Sequence, residues 1–133
     1  KKRSATAMAL LLDENGFLTE TASSNLIILQ DASKSGADLK LLTPKPEKVL
    51  DGIALRIVKS FAKDSGFPWI EADILPSEVR PDDAALITSN SFCFAPVKSL
   101  NGIQLSQSKW FNDQLLAYWQ KQVKLNFHEQ ILK

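Results

Sequence analysis

The chain has 133 residues, 44% of them hydrophobic and 23% charged, a length and balance that suit one globular domain with a core of its own. Its 16 basic and 15 acidic side chains leave a net charge of +1, which gives no broad field for nucleic acid. The single cysteine, Cys93, excludes an intramolecular disulfide and a cysteine-based metal cluster and suits a reducing, cytoplasmic setting; the longest apolar run, Ala7 to Leu12, is far too short to span a membrane.

Lys2 to Met8 reads as the end of a helix, and with no initiator methionine the sequence is expected to be a piece of a longer chain. Ala9 to Leu12 and Phe17 to Glu20 are short strands around Asn15-Gly16, a pair whose tolerance of positive φ makes it a strong hairpin signal. Asn25 to Leu29 is a third strand, and after a polar stretch Leu39 to Leu42 is a fourth. Pro44 and Pro46 stop that strand because proline brings no ladder donor. The period then changes: Ala54, Ile57, Val58, Phe61 and Ala62 lie on one face of a helix over Ile53 to Ser65, ended by Gly66 and Pro68. Trp69 to Ile74 reads as a short strand, Pro76 to Pro81 as one helical turn, and Ala84 to Thr88 as a buried strand. Asn101-Gly102 marks a second hairpin between Val97 to Leu100 and Ile103 to Leu105. From Trp110 to about Phe127, Phe111, Leu115, Tyr118, Trp119 and Val123 share a helix face that packs on the sheet. The expected class is α+β, or mixed α/β: one domain over residues 1–133, sheet-rich, with two main helices.

Three loops combine small polar residues with an adjacent apolar element: Thr19 to Asn25 between strands, Leu50 to Ala54 at the start of the first helix, and Thr88 to Ser91 at the end of the buried strand. Each has a plain structural explanation. Glu20 can be a solvated hairpin carboxylate, Ser23, Ser24 and Asn25 turn formers, Asp51 a helix cap, and Thr88 to Ser91 a strand exit. His128, the only histidine, reads as a surface residue; Cys93, between Phe92 and Phe94, reads as an inert buried thiol in a segment that packs in the core. Lys121, Lys124 and Lys133 read as a solvated face.

Taken together and in order, these segments resemble the C-terminal, larger domain of the class IV aminotransferases. These are the fold-type IV pyridoxal-phosphate enzymes, which include branched-chain and D-amino-acid aminotransferases and aminodeoxychorismate lyases. The resemblance runs from about Ala7 to Leu105 and rests on Leu10 to Glu20, Ala22 to Asn25, Leu50 to Ile53, Thr88 to Ser91 and Pro96 to Gly102. It implies a pseudo-barrel domain that holds pyridoxal 5′-phosphate and works in a homodimer, with an amino acid and a 2-oxo acid as substrates and no metal. Glu20 would stand against the pyridine nitrogen, with Ser23, Ser24 and Asn25 beside it. Gly52, Ile53 and Ala54 would form the phosphate loop, Ser89 and Asn90 a second one, and Ser91 would meet the substrate carboxylate. Helix N-termini suit anions because their free N–H groups and dipole point outward, and glycine permits close approach. Three departures stand out: Ala54 replaces the usual hydroxyl residue, Asp51 brings a carboxylate to a position where proline is common, and Asn90 replaces the more typical threonine with an amide that can still donate.

The resemblance also implies a Schiff-base lysine about thirty residues before Glu20. Nineteen residues precede Glu20, and Lys1 and Lys2 have the wrong spacing, so the catalytic lysine is expected outside this chain together with a smaller N-terminal domain. The chain by itself is then expected to be inactive. The alternatives are a domain of an aminodeoxychorismate lyase, with elimination in place of transfer, or a non-catalytic association module.

Overall fold

The computed structural model describes residues 10–21, 25–31, 39–45, 52–89, 93–100 and 102–132, without the side chains of residues 10, 11, 20, 21, 89, 93 and 123–132. In chain order its elements are β1 (Leu10–Leu12), β2 (Leu18–Thr21), β3 (Asn25–Gln30), β4 (Lys40–Thr43), α1 (Ile53–Ser65), β5 (Trp69–Glu71), a 3₁₀ turn (Pro76–Glu78), β6 (Ala84–Ser89), β7 (Cys93–Pro96), β8 (Ser99–Leu100), β9 (Ile103–Gln104) and α2 (Lys109–Leu132). The mixed α+β class with a sheet and two helices is the one the sequence predicts.

The first hairpin forms by different chemistry from the expected two-residue turn. Asp13 Oδ1 accepts the N–H groups of Asn15 and Phe17, each at 2.9 Å, and Gly16 takes the left-handed φ of 85° without Asn15 doing so. An aspartate at the head of the loop thus organises it. The second hairpin does close through a two-residue connection, with Leu100 opposite Ile103 and Gly102 at φ 79°; Asn101 lies outside the described residues.

β3 is the trunk of the sheet. Along one edge it pairs with β6 from Asn25 through Leu29. Along the other it meets β2 at Asn25 and β4 from Ile28 through Gln30, both antiparallel. The buried hydroxyl of Thr43 donates to the Leu26 carbonyl at 3.0 Å and ties the end of β4 to β3. β5 pairs parallel to β4, the arrangement that a helical connection such as α1 allows. β7 pairs with β6 and lengthens the sheet at that edge. The sequence reading did not anticipate this strand, which carries no alternation and ends at Pro96.

Both faces of the trunk are covered, which is why Leu26 to Leu29 is an unbroken apolar run. Ile27, Leu29, Ala84 and Leu86 face α1 and α2 and pack with Ala54, Val58, Phe61, Phe111, Leu115 and Trp119. Leu26, Ile28, Ala85 and Ile87 face the other way, onto Ile74, Val79, Leu100 and Leu105. Helix α1 has the bounds its apolar spacing predicts. Gly66 ends it at φ 83°, its N–H directed at the carbonyls of Ala62 and Lys63. The two helices meet through rings: Phe61 lies 5.4 Å from Phe111 edge-on and 5.4 Å from Tyr118, and Phe67 contacts Trp110 and Phe111. Phe94 of β7 stacks obliquely on Trp119 at 5.6 Å, so this part of the Phe92 to Phe94 segment serves packing.

Candidate functional site

Three of the predicted loops converge on Asn25. In the sheet register Asn25 stands opposite Glu20 of β2 on one side and opposite Thr88 of β6 on the other. Thr88 in turn is level with Phe94 of β7, so Glu20, Asn25, Thr88 and Phe94 form a row across four strands. Neighbouring strands are about 4.8 Å apart, which puts the Glu20 and Thr88 backbones within about 10 Å of each other. Strand alternation sets Asn25 and Thr88 on the same face as Ile27 and Leu86, the face that carries α1.

The start of α1 sits directly against this row. A Cβ built on Gly52 would come within 3.0 Å of Asn25 Oδ1, so the glycine is what lets the helix approach the sheet here. Gly52 is the N-cap residue and brings no side-chain cap of its own. No acidic residue of the first turn offsets the positive end of the helix dipole, worth about half a unit charge. Ile53 projects outward, whereas the Ala54 methyl is buried in the helix–sheet core. Ala54 can thus contribute through its main chain alone.

Of the other predicted site residues, Glu20 and Ser89 are placed by their backbones at the ends of β2 and β6, with their side chains outside the description. Ser23, Ser24, Asn90 and Ser91 lie outside the described residues, as does Asp51. Thr88 opens the third of the predicted loops, but the sequence assigned it no role of its own. Thr88 is 1% exposed, and its hydroxyl has no hydrogen-bond partner among the described residues. The signal was present: on the alternating positions 84, 86 and 88, a hydroxyl follows two apolar residues onto the helix face. No group of acidic, histidine or cysteine side chains among the described residues is arranged to hold a metal, and none of their helices is long and apolar enough to cross a membrane.

The amino-transferase class IV family profile matches residues 1–100. The chain belongs to that family. Among curated relatives, D-alanine aminotransferase of Listeria monocytogenes is 27% identical over 110 residues, covering 82% of this chain and 36% of that protein. Two solved structures share the fold. An enzyme from Legionella pneumophila assigned as a 4-amino-4-deoxychorismate lyase superposes with a TM-score of 0.73 at 22% identity, over 86% of this chain and 40% of its own. An aminotransferase from Brucella abortus with bound PLP superposes with a TM-score of 0.71 at 22% identity, over 86% and 38%. The class IV chain described here spans about a third of the length of the curated relatives it matches.

Proposed function

We propose that this chain is the cofactor-holding, C-terminal part of an aminotransferase that moves an amino group between an amino acid and a 2-oxo acid using pyridoxal 5′-phosphate. The observation that carries the reading is the convergence at Asn25. Segments that are distant in sequence, and that the family resemblance assigns to one cofactor, meet at a single residue. The residues suit a phosphate-bearing group. A helix N-terminus enters through a glycine, no acidic side chain stands in its first turn, and a buried hydroxyl nearby lacks a partner among the described residues.

In this reading the main-chain N–H groups of Gly52, Ile53 and Ala54 hold the phosphate, with Ser89 and Asn90 as a second set of donors. Ser23, Ser24 and Asn25 line the side toward Glu20, and Ser91 takes the substrate carboxylate. The bound cofactor supplies an electron sink for the charge left when the substrate loses its Cα proton. Glu20 keeps the proton on the ring nitrogen, since an opposite charge within ~4–6 Å favours the charged form. The lysine that handles the Cα proton is assigned to a smaller N-terminal domain outside this chain. A cytoplasmic homodimer completes the proposal. Amino transfer is preferred to elimination because curated relatives matched by sequence are D-alanine aminotransferases, while the lyase at 22% identity supports the fold alone.

The test is Glu20→Gln in the complete enzyme. The amide cannot hold the ring charge, so turnover should fall by about one to three orders of magnitude while cofactor still binds. Unchanged turnover would remove Glu20 from this role.

A further inference from the structure

Three buried polar side-chain atoms among the described residues lack partners: Trp69 Nε1, Thr88 Oγ1 and Ser108 Oγ. Trp69 opens β5, and Ser108 immediately precedes α2, where its carbonyl takes the Asn112 N–H at 3.0 Å. Neither belongs to the row through Asn25. Thr88 does. It lies between Asn25 and Phe94 in the register, on the sheet face that carries α1, and Asn25 reaches from beside it to the glycine that opens the helix.

A buried hydroxyl with nothing to bond is costly, and valine would fill the same volume without that cost. The methyl group of Thr88 already has an apolar environment, since Leu86 and Phe94 both belong to the helix-side packing. Packing therefore explains a branched side chain at this position but not its oxygen. The nearby helix N-terminus favours an anion, whose oxygens accept hydrogen bonds, and a hydroxyl is a donor that can rotate to meet one. Gly52 places the helix start against the same row, since a Cβ added there would lie 3.0 Å from the amide oxygen of Asn25.

We propose that Thr88 is a binding residue for the cofactor's phosphate, its hydroxyl donating to a phosphate oxygen and lacking a protein partner because the ligand provides one. The proposal rests on the pyridoxal-phosphate reading above. It makes Thr88 a residue that lowers the stability of the empty chain and raises affinity for a phosphate-bearing ligand.

The ¹⁵N-labelled chain titrated with pyridoxal 5′-phosphate, and separately with pyridoxal, reports binding through the amide shifts of Gly52 to Leu55. Thermal unfolding without ligand reports the structural role. Thr88→Val should unfold at the same temperature or higher, and bind pyridoxal 5′-phosphate about five- to tenfold more weakly with pyridoxal unaffected. Thr88→Ser should keep the wild-type affinity. Wild-type affinity in Thr88→Val, or equal weakening toward both ligands, overturns the assignment. Lower stability with intact affinity does so as well, and leaves a purely structural threonine. A wild-type chain that responds to neither ligand refutes the cofactor reading itself, and the Thr88 role with it; that result differs from the others because binding is then missing before any substitution.

Discussion

Asp83 shows how much a single side chain can organise. It is 2% exposed, and its two carboxylate oxygens accept the N–H of Asp31 at 2.9 Å and of Arg80 at 3.0 Å. Arg80 closes the circuit through its guanidinium, which donates to Asp31 Oδ1 at 3.2 Å. Asp31 adopts a left-handed φ of 61°, so the exit from β3 is a bend held by a carboxylate more than 50 residues further along the chain. Asp83→Ala leaves two main-chain donors without their acceptor and should cost about 2–4 kcal/mol in chemical denaturation, with Asp83→Asn intermediate because it keeps one oxygen. The outer Arg80–Asp31 pair is largely solvated, so Arg80→Ala should cost under about 1 kcal/mol. Equal losses for Asp83→Ala and Arg80→Ala would mean that the ion pair, not the main-chain acceptor, holds the bend.

At the scale of elements, α2 is tied to α1 by rings and by a polar contact, Tyr118 Oη donating to Asp64 Oδ2 at 3.0 Å. Burial pushes the Tyr118 pKa above its ordinary 10.0, and the hydrogen bond and negative charge of Asp64 push it further, against a smaller opposing effect of Ser60. A raised folded-state value means that this contact stabilises fully below pH 10 and is lost as pH rises through the folded-state value. Tyr118 is the only tyrosine, so the tyrosinate absorbance of the native chain should titrate with a midpoint above 10.0, and Asp64→Asn should lower it. A midpoint at or below 10.0 would break the link between the helices. Helix α1 was legible in the sequence to its terminal residues because its period, its glycine stop and the following proline are all local signals. β7 was not, since Phe94, Ala95 and Pro96 carry no period and their pairing is decided by β6. The branch at β3 was equally hidden: no local pattern says that one strand edge is shared by β2 and β4. The candidate site was legible in its motifs only through the family likeness. Thr88 read as a strand exit until its burial and missing partner were known.

At the scale of the whole molecule, the proposed function divides the work: this chain would form the cofactor's floor, and the reactive lysine would come from elsewhere. Incubated alone with pyridoxal 5′-phosphate and reduced with borohydride, it should give no adduct confined to a single lysine and no amino transfer; either result would show that this part carries its own reactive amine. The pairing of Asn25 with Thr88 has a further consequence. Two segments so remote along the chain come together only when most of the backbone between them has been ordered, at an entropic cost that no short peptide recovers. The juxtaposition of these residues therefore exists in the native state and vanishes in every unfolded one. A molecule seated there draws on the same equilibrium as the entire domain, and at a hundred times its dissociation constant it would protect the fold by about 2.7 kcal/mol. Ligand concentration and fold stability would then be thermodynamically linked through a single pair of facing strands.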